Sequence, residues 1–364
     1  MTRHLFELLW SLCCYAIAYL LPLDISGDNF GKWAVITGGT QGIGRAYSIA
    51  LAKRGKNLFI LSRTVSKMED LKTELEEKFN IQVDYLSVDF SLPVETYLQK
   101  LQDKLHEVRH DGKKIADDIG ILINCVGQLP YAYDTFWQDR ERRARERPHE
   151  PYSVSLQKSL NINCLSQIVM TSEIMHLMIN KKKHPLNQYK GIIISLSSFT
   201  GTEPLPYWAT YTACKGFNKY FSDSLARSNW WTANDLIIQT QHPMEVATSM
   251  APTEIPSLRS PSADKYVEFA LKTVGWMAKT YGWPFHDYRS LMAQIGGGEF
   301  GVNVVTTRRY KNITAGRLRK RAQNLNKLKK QLSKTLSDSL VKHFGSREEA
   351  KARKKLSNSK RFFF

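Results

Sequence analysis

Residues 33–44 read WAVITGGTQGIG: an apolar run short enough for one buried strand, a glycine-rich turn, and the opening of a helix. The glycines of such a turn have separate tasks. Gly38 permits the tight reversal, Gly42 lets backbone approach a pyrophosphate, and Gly44 allows close helix–strand packing. Thr40, Gln41 and Ile43 complete the loop, and the N–H groups of the helix beyond it face the phosphates. A glycine string alone is weak evidence. Its position between a strand and a helix makes it a dinucleotide-binding signal.

Outward from this unit, strands and helices alternate. Strands are expected at 57–61 (NLFIL), 83–88, 120–124 (GILIN), 191–196 (GIIISL) and 236–240 (LIIQT). Helices are expected at 43–54, 65–79, 94–108, 155–180 and 207–228. Strands this apolar are buried on both faces, so the pattern predicts an α/β fold with a Rossmann-type, doubly wound parallel sheet. It forms a single catalytic domain at 31–300, between an N-terminal hydrophobic anchor with its link (1–30) and a basic C-terminal tail (301–364).

Composition locates the charge. The 364 residues carry a formal net charge of +18, with a hydrophobic share of 42% that argues for a folded chain. Residues 308–364 hold 19 Lys/Arg against three acidic residues, so the body is near neutral. In the tail, Leu318, Leu325, Leu328, Leu332, Leu336 and Leu340 recur at about helical spacing among basic residues, a pattern suited to an anionic membrane surface or an acidic partner. No nucleic-acid recognition module accompanies the charge, and no specific nucleic acid is expected. Residues 138–150 (QDRERRARERPHE) read as a solvated loop or short helix. The five cysteines show no paired framework and no zinc-like spacing, which implies reduced, buried thiols and no metal site.

Residues 8–23 are uncharged. As a helix they reach roughly 24 Å, slightly short of a hydrocarbon core of about 30 Å. An uncleaved membrane anchor is expected, with a signal peptide or a buried helix as the other readings.

The second strand ends Leu61-Ser62-Arg63 with no carboxylate to hold a ribose 2′-hydroxyl. Arg63 therefore points to the 2′-phosphate of NADP(H), unless it is an ordinary surface arginine. Asp89, after the third strand, either accepts a hydrogen bond from the adenine amino group or caps a helix. Tyr211 and Lys215 lie four apart on one helix face, where an ammonium favours a phenolate and brings the phenol closer to working pH. Ser198, just after a strand, could polarise a substrate carbonyl.

Together these motifs resemble the short-chain dehydrogenase/reductase family. The matching set is TGGTQGIG (37–44), NCVG (124–127), Asn163, the SLSS ending at Ser198, and YTACK (211–215). The resemblance implies that Tyr211 is the acid/base, that Lys215 binds the nicotinamide ribose and lowers the Tyr211 pKa, that Ser198 orients the carbonyl, and that Asn163 supports a proton-relay water. It places Asn124 and Gly127 at the cofactor, and Pro243, Val246 and Thr248 beside the nicotinamide amide. Cys125 departs from the family's usual second asparagine.

Residues 31–290 are similar, more narrowly, to the 17β-hydroxysteroid dehydrogenase type 12 and type 3 group, which includes very-long-chain 3-oxoacyl-CoA reductases. That implies NADPH-dependent reduction of a lipid-like carbonyl, 3-oxoacyl-CoA before 17-ketosteroid, by a homodimer at the endoplasmic reticulum membrane. A catalytically silent membrane-associated scaffold is the reading from another class. Arg3 before the anchor and Asp24 after it favour a lumenal domain, whereas the resemblance and the thiols favour the cytosol. The sequon at Asn312 would discriminate between them.

Overall fold

The computed structural model describes residues 2–26, 30–130, 134–180, 190–205, 207–232, 235–250, 255–295 and Gln331. Two units divide the chain, Met1–Thr307 and Arg308–Phe364. The leucine pattern of the basic tail and the Asn312 sequon lie outside the described residues.

Within the first unit, the described residues form one sheet of seven strands: β1 (Trp33–Thr37), β2 (Asn57–Ser62), β3 (Val83–Ser87), β4 (Ile119–Asn124), β5 (Gly191–Leu196), β6 (Leu236–Gln241) and β7 (Lys279–Thr280). Their order is β3-β2-β1-β4-β5-β6-β7, and every pairing is parallel. The chain runs outward from β1 to β3, then returns to place β4 on β1's other side. The strand order therefore reverses between β1 and β4, where a crevice opens at the carboxyl ends.

β1, β4, β5 and β6 are buried along their whole length because helices cover both faces. Ala34 and Ile36 point to the layer of α2 (Gly42–Ala52), α3 (Val65–Phe79) and α9 (Ala263–Lys272), among Tyr47, Leu51, Met68, Leu75 and Val267. Trp33 and Val35 point to the layer of α4 (Leu98–His106), α7 (Ser166–Asn180) and α8 (Ala209–Thr232), among Leu101, Leu105, Met170, Ile174 and Met178. A strand with period-two side chains and apolar cover on both sides favours apolar residues at every position, and the polar exceptions, Thr37, Asn124, Ser195, Gln239, Thr240 and Gln241, gather towards the carboxyl ends.

Three expectations change and one is met. The helix expected at 155–180 is α6 (Tyr152–Leu160), a π-helical turn at Asn161–Leu165, and then α7. The 94–108 helix becomes a 3₁₀ turn at Val94–Thr96 followed by α4. The charged run takes the short-helix reading, forming α5 (Phe136–Glu146), entered through a Thr135–Gln138 capping box, and its charges pair among themselves. Arg142 bridges Asp134, Asp139 and Glu146, and Arg143 reaches Asp139. Nor are the thiols all buried: Cys13 is exposed, and Cys14 and Cys125 are half-buried.

The N-terminal run forms α1 (Thr2–Leu20), which packs against α9 and α10 (Pro284–Ile295). Among the described residues, only Tyr152–Asn180 is long and apolar enough to cross a membrane. Its Met170, Ile174 and Met178 are fully buried in the domain core.

The start of the domain is held closely to β4. A Cβ at Gly120 would lie 2.2 Å from the Phe30 carbonyl oxygen, and the buried Lys56 ammonium donates to the neighbouring Gly31 carbonyl at 2.7 Å. Gly120→Ala is expected to destabilise the fold by about 1–3 kcal/mol, read as a lower Tm in thermal unfolding.

Candidate active site

The turn after β1 is built by close backbone contact. A Cβ on Gly44 would sit 2.2 Å from the Gly38 carbonyl oxygen, and Gly38 itself has φ +69°. The α2 N-terminus is thereby pressed against the strand it leaves, with its free N–H groups at the crevice. Thr37 Oγ1 accepts from the backbone N–H groups of Cys125 and Val126 at 3.0 and 3.1 Å, tying the β1 and β4 ends together. Thr40 and Ser62 share a hydroxyl–hydroxyl hydrogen bond of 2.9 Å at the β2 end, and the side chain of the next residue, Arg63, is exposed.

Asp89 accepts from the Ser91 N–H at 2.9 Å, a local turn and not the cap of a regular helix. Asn124 donates to Thr171 Oγ1 at 2.9 Å, while its buried Oδ1 has no partner among the described residues. The segment after β6 closes the site from above. Phe199 N–H donates to the Pro243 carbonyl at 3.0 Å, Val246 is buried, and the Thr248 methyl approaches Gly42, 3.4 Å from where a Cβ would stand.

The residues singled out for chemistry come together at the β4 and β5 ends. Ser198 caps a short 3₁₀ turn, its hydroxyl accepting from Thr200 N–H at 3.2 Å, and it stands near enough to the Tyr211 phenol to lower its pKa. Tyr211, Lys215 and Asn163 are all buried. Lys215 donates to the Leu196 carbonyl at 2.9 Å, and its ammonium lies 5.7 Å from the centre of the Tyr211 ring.

Asn163 sits in the π turn. Its Oδ1 accepts from Gln128 N–H at 2.9 Å, and its Nδ2 donates to the Gln128 and Ser159 carbonyls. A Cβ on Gly127 would lie 3.3 Å from Asn163 Oδ1 and 3.4 Å from Lys215 Nζ, so that glycine separates the two. Residues 124–128, the π turn and α8 thus meet at one point.

Burial sets the charge state. It pushes the Tyr211 phenol above its ordinary pKa, against the lowering effect of the Ser198 hydrogen bond, and it pulls the Lys215 ammonium below its own. Tyr211 is therefore a protonated phenol at neutral pH. Burial also pushes the Cys125 thiol up to about 12, which leaves it uncharged beside the crevice.

Three neighbours carry no motif. Trp208, at φ +60°, packs edge-on to Tyr211 with ring centres 6.3 Å apart, and its backbone N–H reaches the Asp134 carbonyl at the start of the charged insertion. Tyr281 binds Thr202 and Ser290 through its hydroxyl. His242 is fully buried with neither ring nitrogen partnered among the described residues, and burial holds it neutral by pulling its pKa to about 3. Only an aromatic or polar residue next to a motif could have flagged them.

The profile of the short chain dehydrogenase family matches residues 32–256. The chain belongs to that family. As a short chain dehydrogenase it is an oxidoreductase whose crevice is built for a nicotinamide dinucleotide, and the glycine cradle at 38–44 fits one.

Among its relatives, the very-long-chain 3-oxoacyl-CoA reductase of Mus musculus is 34% identical over 269 residues, 74% of this chain and 76% of that protein. The Homo sapiens protein of the same name is 32% identical over 269 residues, again 74% and 76%. The fold also resembles that of the L-sorbose reductase of Gluconobacter frateurii, solved with NADPH and L-sorbose (TM-score 0.53, 19% identity, 71% of this chain and 96% of that one). A short-chain dehydrogenase of Sphingobium yanoikuyae, solved with NADPH, is similar as well (TM-score 0.51, 20% identity, 66% and 82%).

In this short chain dehydrogenase Gly44→Ala must displace the turn, because the atom it meets is backbone. Nicotinamide-cofactor affinity is expected to fall about tenfold or more in a fluorescence titration, as the phosphate-facing N–H groups lose alignment.

Proposed function

We propose that the chain reduces a lipid-like carbonyl with NADPH, converting a 3-oxoacyl-CoA to the 3-hydroxyacyl-CoA in fatty-acid elongation. The observation that carries this reading is the buried, protonated Tyr211 phenol brought together with Ser198, Lys215 and Asn163 at the strand ends, in a chain whose relatives include very-long-chain 3-oxoacyl-CoA reductases.

Ser198 and Tyr211 hold the substrate's 3-oxo oxygen between two hydroxyl groups. The bound cofactor supplies a hydride to the carbonyl carbon. Tyr211 donates its phenolic proton to the oxygen as negative charge develops there, and the Lys215 ammonium stabilises the phenolate that remains. Asn163 keeps the 127–128 backbone in place and supports the water that returns a proton. Gly38, Thr40, Gln41, Gly42, Ile43 and Gly44 would hold the pyrophosphate, Lys215 would bind the nicotinamide ribose, Asn124 and Gly127 would lie at the cofactor, and Pro243, Val246 and Thr248 would lie beside the nicotinamide amide. Asp89 would accept from the adenine amino group. Arg63 carries the preference for NADPH, since its exposed guanidinium follows a strand end lacking a carboxylate. The five unpaired thiols support a cytosol-facing enzyme at the endoplasmic reticulum membrane.

A second reading has a specific basis. Caenorhabditis elegans relatives carry steroid dehydrogenase names, one of them 31% identical over 295 residues. NADPH oxidation by detergent-purified full-length protein separates the two. Turnover of a long-chain 3-oxoacyl-CoA, lowered about 10²–10⁴-fold by Tyr211→Phe, is the expected result. Turnover of estrone or androstenedione alone would move the enzyme to steroids, and full activity in Tyr211→Phe would remove the acid role.

For the cofactor, Arg63→Ala is expected to raise KM for NADPH about tenfold while leaving KM for NADH nearly unchanged, the loss of one charge-assisted hydrogen bond.

A further inference from the structure

Residues 8–20 of helix α1 carry no charge, yet among its described side chains only a narrow stripe is buried against the domain. Tyr15 and Ala18 are buried, whereas Leu9, Trp10, Leu12, Ile17, Tyr19, Leu20 and Leu21 are exposed. Trp10 is 64% and Leu20 75% exposed. A helix with apolar residues on every side is stable only where something apolar surrounds it.

The stripe that does touch the domain is specific. Tyr15 hydroxyl donates to Asp287 Oδ2 at 2.5 Å and lies 2.7 Å from Thr280 Oγ1, on α10 and β7 respectively. Trp276 Nε1 donates to the Leu21 carbonyl at 2.9 Å. Lys272 sits 3.8 Å over the Tyr19 ring, which stacks on Phe269. These contacts run from the middle of α1 to its C-terminal end, so the helix lies along the domain.

That placement conflicts with a span. In a helix crossing the bilayer over residues 8–23, Tyr15 would stand near the midplane, roughly 12 Å from either end. Its hydrogen bonds would then draw the Asp287 carboxylate and the edge strand of the sheet to the same depth, where charge and open backbone are most costly.

The exposed face continues past α1. Phe269 meets Trp283 edge-on at 4.8 Å, and these two rings with Leu258, Pro284, Phe285 and Tyr288 line an open hollow of about 340 Å³. The Trp283 N–H is already bound to the Leu258 carbonyl, so that ring offers the hollow no free donor. Leu258 is 62% exposed at its rim.

We propose that this face docks into one leaflet of a lipid bilayer, with α1 lying in the membrane plane and the hollow taking an acyl chain. Amphipathic rings at Trp10, Tyr19, Trp276 and Tyr288 suit the headgroup boundary, and Lys272 is placed to reach lipid phosphate. A protein partner on such a face would be met by paired polar groups, and the uncharged run at 8–23 offers none from its side chains beyond hydroxyls, thiols and an indole. The face also adjoins the reaction site. His286 of α10 accepts from the Met244 N–H at 3.4 Å, inside the segment that closes over the crevice, so substrate arriving from the leaflet meets α10 first.

Sidedness tests the proposal without any folding risk. The full chain, tagged at its N-terminus and synthesised with microsomes, is treated with protease. The tag and the catalytic domain are expected on the same side, cleaved together before detergent is added. A tag and a domain on opposite sides would establish a span and overturn the proposal.

Flotation of purified full-length protein with neutral phosphatidylcholine vesicles then tests the face, because uncharged lipid gives the basic tail nothing to bind. Leu12→Glu, Leu20→Glu and Leu258→Glu are each expected to lower the floated fraction about tenfold. Cofactor binding and Tm should stay as in the parent, since all three side chains are exposed. Wild type that stays with the soluble fraction, or variants that float equally, would refute leaflet docking. A dimer in detergent-free buffer that Leu20→Glu dissociates, with no flotation, would assign the face to a second copy of the chain instead.

Discussion

No side chain stands between Gly44 and the Gly38 carbonyl oxygen, and the geometry of the whole crevice derives from that close approach. A Cβ there would be 2.2 Å from the oxygen, so only glycine lets α2 start flush against β1. Because α2 starts there, its unsatisfied N–H groups open onto the crevice instead of onto solvent. Because β1 and β4 are then stapled by Thr37 to the N–H groups of Cys125 and Val126, the 124–128 segment is brought to the same place. Gly127 in turn leaves room for Asn163 and Lys215 to approach from different helices. One close contact between backbones thus propagates through two strand ends to Asn163 and Lys215.

Burial is the second organising constraint, and it acts on charge. Tyr211, Lys215 and His242 all lie out of water, and each is shifted toward its neutral form. For the proton donor proposed for the reduction, a phenol kept protonated is the useful state. The family resemblance emphasises how the lysine lowers the tyrosine pKa. In this chain the larger influence on Tyr211 is desolvation, opposed by Ser198, and Lys215 is anchored to the Leu196 carbonyl 5.7 Å from the centre of the Tyr211 ring. The ammonium's effect would grow as the phenolate forms, when there is a negative charge for it to meet.

What the sequence made legible depended on how local the cause was. Five of the seven described strands could be located from apolar runs alone, because burial on both faces is written into each run, and β3 could be located although only its Val83 is buried. The glycine turn and the Tyr–Lys pair were equally local. The π turn at Asn161–Leu165 was not, since the side chain that braces it reaches Gln128, 35 residues earlier. β7 has two residues and no run to recognise. Nor could a hydropathy pattern show that Tyr15 meets Asp287, 272 positions away, and so residues 8–23 read as a free anchor. His242 and Trp208 matter through what surrounds them, and neither residue type at its position signals a role.

The motifs that could be read locally concentrate between β1 and α8. From β1 to β5 the chain meets the requirements of a dinucleotide, which are the same wherever that cofactor binds, so short motifs suffice. From β6 onward the 243–248 segment still borders the crevice, and beyond it the surface is built by scattered apolar and aromatic side chains. His286 joins the two: its ring receives the Met244 N–H on one side and contacts the Arg259 carbonyl on the other, while burial lowers its pKa to about 4 and keeps it neutral. A neutral imidazole can accept at one nitrogen and donate at the other, which a charged one cannot. The segment closing the crevice is therefore held by a group whose role depends on its remaining dry, and α10, which supplies it, is also the helix that carries Tyr288 and grips α1 through Asp287. Cover over α10 and order over the crevice are in this way one structural condition.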